Sequence, residues 1–566
     1  MKPESARVGL GRLSSPVEAL RPHYQVVVVG SGYGGAVAAA RLVRPGRSVC
    51  VLERGRELRP GDYPASLAAA LRNIQIDGEH GHYFSRTALY DLRLNGDLKV
   101  LVGCGLGGTS LINANVVIPP EGAVFTDDAW PRPIRQEAAR GALAPYFAEA
   151  KSMLDAVEYP CDDLPRKYLA LDRIVRRWKD SEPGGRTRIA LTKAPVAVTF
   201  PRDDRNRGFQ RNRWGVMQHP CTGCGDCVSG CNVAAKNTVL MNYLPVARAR
   251  DAAIFTEMKV TSVQPRGERG GWLVHYEPLG ARRRQFSAPP LSIAADTVVL
   301  AAGALGSTEI LLRSRDTWQL PLSERVGTSF SGNGDVLSFA YNGREIVNGI
   351  GAGRGSFHGA EAPGPCITGS VALADKEPIR LQEGVIPGAL SPILTVGFVL
   401  ARILKGRDPM TSRRRSLWRL VEDYARGGMA ATQTFLAMVN DRSYGRLELV
   451  DDRIKVVWSG AGRGGVYEEL VGLVEEACAA LDAAYVPNPF GAITVHPLGG
   501  CPMGDNGTRG AVDHTGAVFT GQGTGIHDGL FVWDGSTIPC ALGANPLFTI
   551  TALAERAAAL MTGPRR

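Results

Sequence analysis

The clearest apolar pattern lies near the start of the chain. Tyr24-Gln-Val-Val-Val-Val-Gly30 is a continuous β-branched run with no polar alternation, which predicts a strand buried on both faces of a parallel sheet. It leads into Gly30-Ser-Gly32-Tyr33-Gly34-Gly35 and an alanine-rich stretch, Ala36 to Leu42, expected to be a helix. A second apolar run, Ser48 to Glu53, predicts the next strand. Two later runs, Asp296 to Gly303 and Gly529 to Asp534, also end close to glycine, with helices expected over Ser307–Arg313 and from about Asn545. Strands so far apart with the same ending predict one nucleotide-binding unit assembled from separated segments. A second unit, for substrate, is then interleaved with it. No internal repeat is visible.

The first strand, helix and second strand form a complete β–α–β unit with G-x-G-x-x-G at its turn. Gly30 permits the tight turn, Gly32 lets backbone approach a pyrophosphate, and Gly35 lets helix and strand pack closely. The helix N-terminus then faces the phosphates. Glu53, at the end of the second strand, suits the adenosine ribose hydroxyls and disfavours a 2′-phosphate, so NADP is not expected. The unit alone leaves FAD and NAD open.

Composition narrows the class. Glycine makes up 68 of 566 residues, about 12% against a usual 7%, and is clustered rather than periodic. With 44% hydrophobic residues, the chain can bury a large core, which excludes collagen-like and disordered classes. The net charge of +10 is spread along the chain without a polybasic tail, so no nucleic-acid partner is expected. Met1 to His23 has no charged-then-apolar leader pattern, and the reading is a cytoplasmic protein. The apolar stretch Val385 to Arg402, followed by Arg413-Arg-Arg415, is too short to span a bilayer. It reads as a buried core helix, or as an interfacial or lid segment in peripheral contact with a membrane.

With these pieces placed, the chain resembles the glucose–methanol–choline (GMC) family of FAD oxidoreductases, in particular its cholesterol oxidase branch. Four blocks carry the likeness: Val28 to Glu53; Gly103-Cys-Gly-Leu-Gly-Gly-Thr-Ser-Leu-Ile-Asn113; His496-Pro-Leu-Gly-Gly-Cys501; and Trp533-Asp-Gly-Ser536 through Asn545-Pro-Leu to Glu555. The resemblance implies an α/β fold in which a Rossmann-like FAD-binding domain is interleaved with an α+β substrate domain. The first is expected over 20–62, 95–120, 236–330 and 490–566, and the second over 63–94, 121–205 and 331–489. Residues 206–235 form a cysteine insertion.

The resemblance also implies site residues. Beyond Gly30, Gly32, Gly35 and Glu53, the positions that match the cofactor site are Tyr33, Gly34, Gly105, Gly108, Thr109, Asn113, Val116, Val260, Gly303, Asp534, Gly535, Pro546 and Leu547. Thr109 and Asn113 carry groups that can donate to ring oxygens. His496 and Asn545 match the catalytic pair. A neutral imidazole suits the removal of a hydroxyl proton as hydride leaves carbon, and Asn545 suits a hydrogen bond that fixes the reacting oxygen. Ser391 stands where oxidases that also isomerise a steroid double bond carry Glu, and Glu383 is nearby but out of register. Isomerase activity is therefore not implied.

Cys221-Thr-Gly-Cys224-Gly-Asp-Cys227-Val-Ser-Gly-Cys231 has the C-x2-C-x2-C-x3-C spacing of ferredoxin loops. It predicts an iron–sulfur cluster, [4Fe–4S] or [3Fe–4S], whose fourth thiol is Cys231 or a remote residue such as Cys104 or Cys501. Zinc, or thiols without a metal, are the alternatives. Together these readings predict an FAD-dependent dehydrogenase that oxidises a hydrophobic secondary alcohol, sterol- or terpenoid-like, and sends electrons through the cluster to an external acceptor. The rivals are an oxygen-using oxidase with structural zinc, a light-driven fatty-acid decarboxylase and a flavin electron carrier without catalysis.

Overall fold

The structure, a computed structural model, describes residues 11–563 apart from 161, 182–188, 202–207, 281–290, 354–360, 375–377, 393, 395–427 and 443–444. The β-branched run forms the strand His23–Val29, with Val26, Val27 and Val28 fully buried. It pairs in parallel with Val49–Leu52 on one side and Leu291–Leu300 on the other. Ala253–Phe255 extends the parallel set beyond Val49–Leu52.

The strand Leu291–Leu300 has two neighbours on its other side. Its first half pairs antiparallel with Trp272–Pro278, and its last residues pair in parallel with Ile526–Val532. This end of the eight-stranded sheet therefore unites two distant parts of the chain, 258–300 and 517–532. The helix after Gly30 starts at Tyr33 rather than Ala36. The helix expected over Ser307–Arg313 runs over Gly303–Trp318, and the last helix over Leu547–Thr562.

A second sheet is wholly antiparallel, with six strands in the order Ala484–Pro487, Val336–Tyr341, Gln433–Met438, Pro378–Gly384, Gly369–Ala374 and Ile189–Lys193. Side chains alternate across it. Leu381, Phe435, Ala437, Val371 and Ala340 lie in one core with residues of the helices Arg166–Ser181 and Gly465–Ala480. The opposite face carries Arg380, Gln382, Leu436, Leu337 and Phe339. A smaller sheet, in the order Ile493–Thr494, Lys99–Gly103, Tyr90–Arg93, Ile74–Gly78 and Gly81–Phe84, leads into both the Gly103–Asn113 loop and the His496 block.

Of the apolar stretch 385–402, residues 385–392 and 394 are described. Ile386 is buried with Phe339, Met429 and Val486. Residues 395–402 and Arg413–Arg415 lie outside the described residues. Among the described residues no helix is long and apolar enough to cross a membrane.

Candidate active site

The dinucleotide loop and the second glycine block meet directly. Gly107 N donates to Ser31 Oγ at 2.8 Å, and a Cβ at Gly108 would lie 3.0 Å from Gly32 Cα. The helix Tyr33–Leu42 has no side-chain cap at its N-terminus. A Cβ at Gly32 would meet nothing within 4 Å. An open backbone turn at an uncapped helix start is the arrangement a pyrophosphate needs.

Asn113 Nδ2 donates to the Tyr33 hydroxyl at 2.7 Å, while Asn113 Oδ1 is buried without a protein partner. Burial pushes the Tyr33 hydroxyl pKa up, so it stays protonated. Thr109 Oγ1 is occupied by its own loop, accepting from Gly103 N at 3.1 Å. Glu53 is also partly committed. Its carboxylate accepts from Ser31 N, Ser31 Oγ and Gly55 N at 3.1, 2.6 and 2.7 Å, leaving lone pairs for hydroxyl donors.

Asp534 ties the nucleotide sheet to the next helix. It accepts from Gly303 N and Ser307 Oγ with one oxygen, and from Ser536 N and Oγ with the other. Burial raises its pKa against these donors. Gly535 O accepts from Gly499 N at 3.0 Å, which brings the Asp534 turn beside the His496 block. Pro546 and Leu547 open the last helix, whose N-terminus also lacks a side-chain cap. Val260 is buried at an irregular step in its strand, and Val116 is buried against Val196, close to the cysteine loop.

The two expected catalytic residues are linked by a loop that the sequence reading passed over, Ser331-Gly332-Asn333-Gly334-Asp335. His496 Nδ1 donates to Asp335 Oδ1 at 2.8 Å. Asp335 Oδ2 is fixed by Thr494 Oγ1 and Val495 N, each at 2.9 Å. Two residues earlier, Asn333 Oδ1 accepts from Leu542 N and Gly543 N, and Asn333 Nδ2 donates to Ala544 O. The loop thus holds His496 through one side chain and the segment preceding Asn545 through another. With the proton on Nδ1, His496 Nε2 is left as the acceptor. Asn545, nearly buried, exchanges hydrogen bonds with Gln382.

The sequence match then decides the family. A model of the GMC oxidoreductase N-terminal region matches residues 24–315, and its C-terminal counterpart matches residues 463–554.

The chain belongs to the GMC oxidoreductase family.

Its cofactor is accordingly FAD, and the open turn at Gly32, the uncapped helix starts and the orphan Asn113 oxygen fit that group. Among curated relatives, a cholesterol oxidase of Mycobacterium tuberculosis is 29% identical over 96% of this chain and 91% of its own length. A cholesterol oxidase of Acinetobacter baumannii is 26% identical over 94% and 93%. A long-chain-alcohol oxidase of Arabidopsis thaliana is 24% identical over 96% and 68%. Among solved structures, pyridoxine 4-oxidase from Mesorbium loti superposes with a TM-score of 0.61 at 17% identity, covering 96% of this chain and 100% of that one. A fungal aryl-alcohol oxidase gives 0.56 at 16%, covering 96% and 99%. These two likenesses show the fold. The GMC chain is thus an α/β flavin oxidoreductase that acts on CH–OH groups.

The cysteine loop departs from expectation. Among the described residues no group of three or more His, Cys, Asp or Glu side chains is gathered as a metal ion requires. Cys221 Sγ accepts from Gly223 N, and Cys227 Sγ from Cys366 N, both at 3.4 Å. Burial pushes the Cys227 thiol well up and the Cys224 thiol up to about 11. The proposed remote ligands are elsewhere: Cys104 beside Arg54 and Arg86, Cys501 beside Thr308. The cysteine that meets the loop is Cys366, invisible to spacing because it lies 135 residues beyond Cys231. The loop does adjoin the second glycine block. Lys236 Nζ donates to Leu111 O and Asn113 O on one side and Cys227 O on the other, at 2.6–3.1 Å.

Proposed function

We propose that this GMC enzyme oxidises a hydrophobic secondary alcohol, sterol- or terpenoid-like, to the ketone. The observation that carries the reading is the 331–335 loop, which fixes His496 as a proton acceptor and anchors the approach to Asn545. The substrate O–H donates to His496 Nε2, and an Asn545 N–H donates to the same oxygen. Bound FAD supplies the acceptor for the hydride. A general base in this position contributes about 10²–10⁴-fold. The apolar character of the substrate is supported by the sheet face shared with Gln382, where Leu337 and Phe339 pack with Ile386, Ile350 and Met429. The cholesterol oxidase and long-chain-alcohol oxidase relatives support it too. A cytoplasmic location, with peripheral contact to the membrane that holds such substrates, belongs to the same reading.

Electrons pass from the flavin directly to an outside acceptor, and the oxidase relatives make oxygen the first to test. Exit through an iron–sulfur cluster on Cys221, Cys224, Cys227 and Cys231 has only the ligand spacing and the loop's position beside Asn113 in its favour. Zinc has the spacing alone.

The test is anaerobic mixing of the FAD-loaded protein with cholesterol, terpenoid alcohols and long-chain secondary alcohols while the flavin absorbance is followed. Bleaching by at least one, slowed about 10²-fold or more in His496→Gln with FAD retained, is the expected result. Bleaching by none overturns the proposal. Admission of oxygen, with iron, sulfide and zinc analysis, then decides the route of reoxidation.

A further inference from the structure

Gln382 has no part in the sequence reading. It lies on the strand Pro378–Gly384, where Leu381 and Glu383 turn toward the helices and Arg380 and Gln382 turn the other way. It is fully buried. Its Nε2 donates to Asn545 Oδ1 at 2.8 Å, and its Oε1 accepts from Asn545 Nδ2 at 3.2 Å. The second anchor is Ser370, directly opposite in the neighbouring strand, whose Oγ accepts from Gln382 Nε2 at 3.4 Å and Arg380 Nη1 at 3.3 Å.

An asparagine amide has two N–H donors and one carbonyl acceptor. Gln382 uses the acceptor and one donor. What Asn545 retains as a donor is a single N–H, its oxygen being turned toward Gln382. A free amide rotates readily between presenting nitrogen and presenting oxygen, and the two ends act oppositely on a hydroxyl whose proton is already directed at His496. We infer that Gln382 is a positioning residue that locks the Asn545 amide with one N–H free, so that the substrate oxygen meets a donor and never an acceptor. The inference rests on alcohol oxidation at His496 and Asn545.

Two substitutions separate this role from simple packing. In Gln382→Leu both hydrogen bonds are lost. In Gln382→Glu the ionised carboxylate only accepts, so Asn545 must turn its N–H groups toward residue 382 and its oxygen toward the substrate. Protonation gives the glutamic acid an O–H that restores the original pairing. In the FAD-loaded full-length enzyme, with cholesterol or whichever alcohol of the panel bleaches the flavin, Gln382→Leu is expected to lose about tenfold to 10²-fold in kcat, with KM changed less than about threefold. The ratio of Gln382→Glu to wild-type kcat should rise at least about fivefold as pH is lowered from 8 to 5.

A second readout needs no turnover. The Asn545 side-chain amide signal, identified by its loss in Asn545→Asp, should exchange slowly with solvent in wild type and about 10²-fold faster in Gln382→Leu. The inference is overturned if kcat for both variants stays within about twofold of wild type, if the Gln382→Glu ratio is flat with pH, or if amide exchange is unchanged. If no alcohol bleaches the flavin, the proposed activity fails while amide exchange still decides the role of Gln382. If Gln382→Leu does not fold, the Gln382→Glu pH series decides it.

Discussion

Asp335 and His496, 161 residues apart, are joined by a 2.8 Å hydrogen bond from Nδ1 to a carboxylate whose other oxygen is pinned by Thr494 and Val495. Asp335 therefore cannot swing away, and the imidazole tautomer is decided by a group outside the family's recognisable block. A hydrogen bond to one ring nitrogen fixes what the other can do.

Asp335→Asn keeps the shape and removes the charge. An asparagine amide can present its N–H to Nδ1, which moves the ring proton to Nε2 and removes the base. Turnover should fall about 10²-fold or more, with FAD content and KM little changed. Stopped-flow flavin reduction measures it. Retained turnover would show that Asp335 does not set the tautomer.

Glu383 has a different fate from the one its neighbourhood in sequence suggests. It is fully buried on the helix-facing side of its strand, paired with Lys167 Nζ at 2.7 Å and bonded to Thr368 N and Gly369 N. Its Oε1 is crowded by structural donors, Oε2 takes Gly369 N, and the side chain lies on the face opposite Gln382 and Asn545, so it is no acid–base group for substrate there. Glu383→Gln leaves Lys167 buried without its counter-charge and should cost about 3–5 kcal/mol in urea unfolding. Lys167→Met with Glu383→Gln, which keeps an acceptor for Thr368 N and Gly369 N, should recover most of that loss. Failure of the double variant to recover would mean that the pair fixes packing as well as charge.

The parallel nucleotide sheet was legible because burial on both faces leaves an unbroken β-branched run, and its glycine turn has fixed spacing. The roles expected of His496 and Asn545 rest only on the blocks around them. Asp335, Asn333 and Gln382 were not legible, because each acts through a partner brought near by sheet pairing, and nothing in the local pattern records it. Gly332-Asn-Gly-Asp335 reads as an ordinary turn, yet its buried Asn333 and Asp335 side chains hold both halves of the site. The cysteine loop shows the converse. Its spacing was distinctive, but spacing states only that thiols are near in sequence, and it is silent on Cys366, whose backbone N–H donates to Cys227 Sγ while Gly223 N donates to Cys221 Sγ.

Two glycines of the first turn should respond in opposite ways. A Cβ at Gly34 would lie 1.6 Å from Trp533 O, whereas one at Gly32 would touch nothing within 4 Å. Gly34→Ala should destabilise the protein by about 1–3 kcal/mol or more, since backbone must move. Gly32→Ala should leave apoprotein stability within about 0.5 kcal/mol and weaken FAD binding about tenfold, because the methyl fills the space the pyrophosphate takes. Thermal unfolding of the apoproteins and flavin fluorescence titration separate the two. Unweakened FAD binding by Gly32→Ala would move the pyrophosphate away from this turn.

Lys236 predicts a pH dependence of stability. Its ammonium is fully buried, held by the carbonyls of Leu111, Asn113 and Cys227, and burial pushes its pKa down to about 8 despite the neighbouring thiols. The unfolded chain carries this lysine near its ordinary value of about 10.4. Between these two values the unfolded state binds the proton and the native state does not, so this group makes stability rise with pH. Below about 8 both states are protonated, and the penalty for burying the cation is present in full. Lys236→Met removes the titration while leaving all other groups in place. The stability of wild type minus that of Lys236→Met, from urea unfolding at pH 7, 8, 9 and 10, should therefore be constant up to about 8 and then increase. A flat difference across that range would show that the native lysine keeps its ordinary pKa, and that the cation beside the cysteine loop is compensated by a negative charge.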